Sequence, residues 1–183
     1  MRQLGVMVRR IYRALLIGVC LSVPALGGVT AQEGAALPGG ASSLQETYQD
    51  WLVSCVQANG KRCALSQRTQ QNGQQLVAIE LVPAGEGETA TGTLVLPFGL
   101  ALDAGVALQI DDNPAGAPLR FSTCLAGGCL VPLSFDAALL EGLRAGETLK
   151  LTSRAADSDR GVPLSISLKG FAAAFDRVSA LTR

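Results

Sequence analysis

Four of the five cysteines fall in two close pairs, Cys55 with Cys63 and Cys124 with Cys129. Each spacing suits the two arms of a β-hairpin. If Cys55 faces Cys63, Val56 pairs with Arg62 and Gln57 with Lys61. Ala58-Asn59-Gly60 then closes a three-residue loop, with glycine where a left-handed residue is wanted. A two-residue Asn59-Gly60 turn would instead set Cys63 against Val56 and put the two sulfurs on opposite faces. A disulfide here selects the longer loop. Cys124 and Cys129 can likewise face each other across Leu125-Ala126-Gly127-Gly128. Four cysteines admit three connectivities; hairpin geometry favours the near pairs and leaves the other two open. By chain entropy each small loop would contribute roughly 2–2.6 kcal/mol.

Other uses of these cysteines fit less well. A redox dithiol usually has two residues between its sulfurs, and a zinc site made of four cysteines usually has two short knuckles. Here the pairs are separated by seven and four residues. The chain has no histidine, which removes the Ser-His-Asp and Cys-His arrangements and the commonest metal ligand. Lys61, Lys150 and Lys169 are the only lysines, and none sits in a motif that would activate a serine. Asp111-Asp112 precedes Asn113-Pro114 and reads as a turn; a calcium loop would need alternating oxygen ligands and a distal glutamate. Asp157 and Asp159 read as a solvated hairpin tip. Gly127-Gly128 opens no helix and makes no phosphate loop. The expectation is a chain with no catalytic residue, no cofactor and no metal, whose cysteines are structural.

The first residues read as a secretory signal. Arg2, Arg9, Arg10 and Arg13 form a basic start, and Ala14 to Val23 is apolar but short for a membrane span. Pro24, Gly27 and Gly28 break the run, and Val29-Thr30-Ala31 fits a cleavage site, so the mature chain is expected to begin at Gln32. A lipoprotein acylated at Cys20 is disfavoured by the bulky Val19, and the residues around Arg9-Arg10 suit a twin-arginine route poorly. The whole chain holds 15 basic and 15 acidic residues; removing the four leading arginines leaves a net charge of about −4. With no basic patch, neither nucleic acid nor an anionic membrane surface is an expected partner.

Residues 32–46 are rich in Gly, Ala and Ser and read as a flexible leader, with a single domain over 47–183. There the pattern is mostly strands: Tyr48 to Val56, Cys63 to Thr69, Leu76 to Val82, Thr93 to Leu96, Val106 to Ile110, Leu119 to Thr123, Leu130 to Leu133, Leu149 to Ser153 and Leu164 to Leu168. Asn72-Gly73 is a hairpin signal, and Pro83 to Gly92 reads as a loop. Ser134 or Asp136 can cap a helix through Leu143, with Gly146 just beyond it. Phe171, Phe175 and Val178 recur at helical spacing in a C-terminal helix entered through Gly170. The fold class expected is mainly β, a β-sandwich or open barrel of about nine short strands with two short helices. Trp51 is expected in the core beside the first disulfide; exposed, it would be an aromatic anchor for a partner.

Several marks then line up. Trp51-Leu52-Val53-Ser54-Cys55 is followed by Cys63 and Gln67, then by LPFGLALDAGVALQID from Leu96 to Asp111. Cys124 to Cys129, Gly146 with an apolar strand after it, and Ser167 to Phe171 with Ala174 complete the order. In that order, over about residues 48 to 181, the chain resembles the invasion-associated locus B family of alphaproteobacterial envelope proteins. The resemblance implies an exported β-rich domain, periplasmic or outer-membrane-associated, with no known catalytic residue and no cofactor. Gly85 to Gly92 and the Gly-rich leader look like local elaborations. The family name comes from members linked to host-cell invasion. Expected partners are therefore an envelope or host protein, or a membrane complex docked from the periplasmic side. A thiol-disulfide enzyme is the weaker alternative.

Overall fold

The computed structural model describes residues 36–71 and 74–183. The expected signal segment, 1–31, and the Asn72-Gly73 turn lie outside the described residues. The strands are β1 (Ser43–Tyr48), β2 (Trp51–Ala58), β3 (Gly60–Gln71), β4 (Gln74–Ala84), β5 (Thr89–Leu96), β6 (Ala107–Ile110), β7 (Thr123–Leu125), β8 (Gly128–Phe135), β9 (Thr148–Arg154) and β10 (Gly161–Ser167). Two helices, α1 (Ala137–Ala145) and α2 (Phe171–Thr182), follow β8 and β10. Seven strands form one antiparallel sheet in the order β1-β2-β3-β4-β5-β8-β7, and three form another in the order β10-β9-β6. The two sheets close no barrel, so the sandwich is the form the β pattern takes.

Period-two alternation builds the long sheet. Trp51, Val53 and Cys55 of β2 point inward with Cys63 and Leu65 of β3, Ile79 and Leu81 of β4, Leu94 of β5 and Val131 of β8. The C-terminal helix α2 lies over this inner face, against β1 to β4. Its Phe171, Ala174, Phe175 and Val178 are fully buried. The Phe171 ring meets Trp51 edge-on at 5.1 Å and Phe175 at 5.7 Å. Burying one such ring stabilises the fold by about 1.5–3 kcal/mol. Leu149 and Leu151 of β9 and Ile166 of β10 belong to the same core.

Local chemistry sets the helix ends. Asp136, rather than Ser134, caps α1: its Oδ1 accepts from the Leu139 N–H at 2.9 Å. Gly146 ends α1 in an extended conformation, φ −80°, so its role is space: a Cβ there would press on Ile110 Cγ2 at 2.6 Å. Gly170 enters α2 at φ 85°, and a Cβ there would collide with the Tyr48 carbonyl oxygen. Arg144 of α1 binds Asp176 of α2 at 2.5 Å and lies 5.1 Å from the Phe175 ring centre, tying the helices together.

Three expectations are corrected. The leader does not extend to residue 46: Leu37 is buried in the core, and β1 begins at Ser43. Leu44, Glu46 and Tyr48 face inward opposite Cys55, Val53 and Trp51, and Arg177 neutralises the glutamate through two contacts of 2.7 Å. The loop expected from Pro83 to Gly92 shrinks to a turn at Gly85–Gly87, because β4 runs to Ala84 and β5 starts at Thr89. Pro83 fits inside β4 because the pairing with β3 ends at Leu81; beyond it β4 is locally an edge, where proline is tolerated. The strand expected at Leu119 to Thr123 is a crossing segment. Leu119 bridges to Val106 beside the small sheet, and Ser122 donates to Leu130 O in the long one.

Candidate functional site

The four cysteines come together as the hairpins require. Cys55 is joined to Cys63 with Cα atoms 4.0 Å apart, and Cys124 to Cys129 with Cα atoms 3.9 Å apart. The Val56–Arg62, Gln57–Lys61 and Ala58–Gly60 pairs follow in register, and Gly60 takes φ 102°. The Gln57 N–H donates to Ser42 O, which makes alternate pairs of the β1–β2 ladder hydrogen-bonded and turns Cys55 toward β1. Cys55 and Cys63 therefore meet as a non-hydrogen-bonded pair, the closer kind. The two bridges differ in environment. Cys55 and Cys63 are both buried in the core, whereas Cys129 is buried and Cys124 is exposed on the short strand β7.

The titratable groups hold structure together. The Glu46 carboxyl lies below its ordinary pKa, chiefly through the Arg177 hydrogen bonds, with partial burial opposing and the Tyr48 hydroxyl assisting. Burial and the same carboxylate push the Tyr48 phenol up. This trio fastens β1 to α2. Asp111, at φ 49°, accepts from the Glu147 and Thr148 N–H groups at 3.2 and 2.9 Å, so the expected turn also starts β9. Asp112 pairs with Lys150 at 2.8 Å, which lowers its pKa. Asp159 pairs with Arg154 at the β9–β10 tip. Among the described residues no lysine ammonium reaches a serine hydroxyl; Lys61 donates to Arg183 O at 3.1 Å. Among the described residues no three carboxylate or cysteine groups converge as metal ligands.

Trp51 is a core residue. It is buried, and its Nε1 donates to Ser167 O at 3.0 Å. An aromatic anchor for a partner is therefore not found there. Gln67 meets the same carbonyl at 2.9 Å and accepts from the Ser167 N–H at 3.0 Å. Two of the sequence marks thus grip one carbonyl at the end of β10.

Exposed chemistry concentrates on the other face of the long sheet. α2 and the small sheet cover only the inner face, so Ser54, Val56, Arg62, Ala64, Arg68, Glu80 and Val82 look outward. Val56 is 46% and Val82 40% exposed. Two depressions, of about 440 and 380 Å³, lie along this face around Ala64 and Ser66, and the larger reaches past Lys61 to Thr182 at the end of α2. A separate apolar groove of about 520 Å³ runs beside α1, lined by Leu108, Pro114, Leu119 and Leu139. Among the described residues no helix is long and apolar enough to cross a membrane.

Residues 51–179, from Trp51 to the last turns of α2, match the sequence profile of the invasion associated locus B (IalB) protein family. The chain belongs to this family. It is 46% identical over 175 residues to an Invasion protein B homolog of Brucella abortus, covering 94% of this chain and 98% of the relative. It is 36% identical over 154 residues to Invasion protein B of Bartonella bacilliformis, covering 81% and 82% of the two chains. The crystal structure of invasion associated protein b from Bartonella henselae superposes with a TM-score of 0.71 at 33% identity, covering 75% of this chain and 97% of that one. The marks that carry the IalB resemblance are, in this fold, packing and clamping residues: Trp51, Gln67, Ser167, Gly170 and the disulfides. Sequence reasoning missed Glu46, whose partner Arg177 lies 131 residues away. It also missed the second role of Asp111.

Proposed function

We propose that this IalB-family protein is exported to the cell envelope and acts there as a non-enzymatic interaction module. The observation that carries the reading is the contrast between the two faces of the long sheet. One is sealed by α2 and the small sheet, and the other carries exposed Val56 and Val82 among Arg62, Arg68 and Glu80. Apolar side chains rimmed by charge are a common composition of protein-binding surfaces. The names of the relatives, which call them invasion proteins, support a role toward a host. The paired cysteines support an oxidising compartment.

The test places a photo-crosslinking residue at Ala64, on the outward face, and separately at Asp157, on the β9–β10 tip, in intact cells and in cells presented to host cells. The reading predicts a discrete adduct from Ala64 that is missing from Asp157. Identical adducts at both positions, or none at Ala64, would refute it. Cell fractionation with mass analysis of the N-terminus checks export; a full-length chain retained in the cytoplasm would defeat that part.

A further inference from the structure

We infer that this chain forms a two-fold symmetric dimer in which two β1 strands meet antiparallel, centred on Gln45.

The ladder fixes which groups are available. Because Gln57 N–H donates to Ser42 O, the β1 residues in hydrogen-bonded pairs with β2 are Leu44, Glu46 and Tyr48. Ser43, Gln45 and Thr47 therefore turn their N–H and C=O groups away from the sheet. Among the described residues no backbone or side-chain group bonds to them. Their side chains are exposed and uncharged.

The remaining edges are each blunted, as exposed edges usually are. The edge strand β7 has three residues. On β6, Leu108 O is already taken by Gly116 N–H at 2.9 Å. On β10, Pro163 lacks a donor and Ser167 is held by Gln67. The β1 edge has no proline, no bulge and no outward charge over six residues.

Self-pairing has one preferred register. Outward residues must oppose outward residues, so the strand can slip only in steps that keep Ser43, Gln45 and Thr47 facing one another. Centred on Gln45, Ser43 opposes Thr47, Leu44 opposes Glu46, and the two Gln45 amides meet at the axis. Hydroxyl and amide pairs of this kind are favourable across a ladder, and about six backbone hydrogen bonds form. Shifting one way sets Glu46 against Glu46; shifting the other leaves only three paired positions within β1. The dimer would be isologous and would merge two outward faces into one surface. This inference does not rest on the binding role proposed above.

The test is sedimentation equilibrium of the chain purified without denaturant, with spin labels at Ser54→Cys, on β2 opposite Gln45 and off the pairing edge, as a second readout. Dimer mass rising with concentration is expected, with a single short distance across the axis. Gln45→Lys sets two ammonium groups face to face and should weaken dimerisation about tenfold or more. Gln45→Pro removes an N–H that serves no bond to β2, so the fold persists while the dimer is lost. Circular dichroism checks the fold of both variants. A monomer at every concentration, or a dimer unaffected by Gln45→Lys and Gln45→Pro, would overturn the inference; so would a long or broad label distance.

Discussion

Gln67 on β3 and Ser167 on β10 exchange two hydrogen bonds across the gap between the sheets, at 2.9 and 3.0 Å. The side-chain amide takes the place of a neighbouring strand and satisfies both backbone groups of Ser167. Trp51 adds a third contact to the same carbonyl. The chain then passes through Gly170 into α2, so this clamp sets where the C-terminal helix begins.

Replacing Gln67 with leucine keeps the volume and leaves the Ser167 N–H without its partner. A lost buried hydrogen bond of this kind costs about 1–3 kcal/mol. For a domain of this size each kcal/mol lowers the melting temperature by about 2–4 °C. Trp51→Phe keeps most of the ring packing and loses one bond. Because either donor alone still satisfies the shared Ser167 carbonyl, the double variant, which orphans it, should lose more than the sum of the single losses. Urea unfolding of all four proteins checks this, and strict additivity would show that the clamp does not act as a unit.

Gly170→Ala should be among the most damaging small substitutions in the fold. The position has φ 85°, and the added methyl meets the Tyr48 carbonyl oxygen. Left-handed strain alone costs about 1–3 kcal/mol, and the contact adds to it by pushing β1 away from α2. Gly146→Ala meets Ile110 and Asp111 side chains, and Ile110 can shift in part, so a smaller loss is expected. Thermal unfolding of the two variants ranks them; an equal or reversed order would contradict the geometry.

The sequence made some of this visible and hid the rest for physical reasons. The cysteine spacings and the alternation in β2 and β4 are local signals, and the Asp136 cap and the Phe171-Phe175-Val178 face are readable in the same way. Strand β1 escaped because Ser43 to Tyr48 has few apolar residues, and its inward Glu46 is acceptable only beside Arg177. The crossing at Leu119 to Thr123 is extended backbone that changes sheets, and periodicity does not register a change of neighbour. The outward face of the long sheet carries the ordinary alternate residues of its strands. That it stays uncovered depends on where α2 and the small sheet pack, which is a long-range outcome.

Protonation should act through β1. Arg177 holds the folded-state pKa of Glu46 below its ordinary value. The charged carboxylate therefore adds stability above about pH 4.3, the ordinary carboxylate value, and that addition fades as pH falls through the lowered folded-state pKa. Glu46→Gln should be less stable than the parent at pH 7, and the gap should narrow toward pH 3. Urea midpoints at the two pH values measure it. A gap that is constant or wider in acid would mean that the Arg177 pairing does not carry the effect.

The two disulfides should part company under mild reduction. Thiol–disulfide exchange needs access of the attacking thiolate to a sulfur. Cys124 lies exposed on the three-residue strand β7, whereas Cys55 and Cys63 are buried beneath α2. In native buffer a small thiol should open Cys124–Cys129 first, and mass mapping of alkylated peptides should find label there while Cys55–Cys63 stays closed until denaturant is added. Opening the outer bridge releases a hairpin arm that buries little, so its loss should stay near the roughly 2 kcal/mol expected from chain entropy. Losing the inner bridge also disturbs packing beside Val53 and Leu65, the next inward pair along β2 and β3, so Cys55→Ala with Cys63→Ala should cost more than Cys124→Ala with Cys129→Ala. Label appearing first at Cys55 and Cys63, or an equal cost for the two double variants, would contradict the burial difference on which this rests.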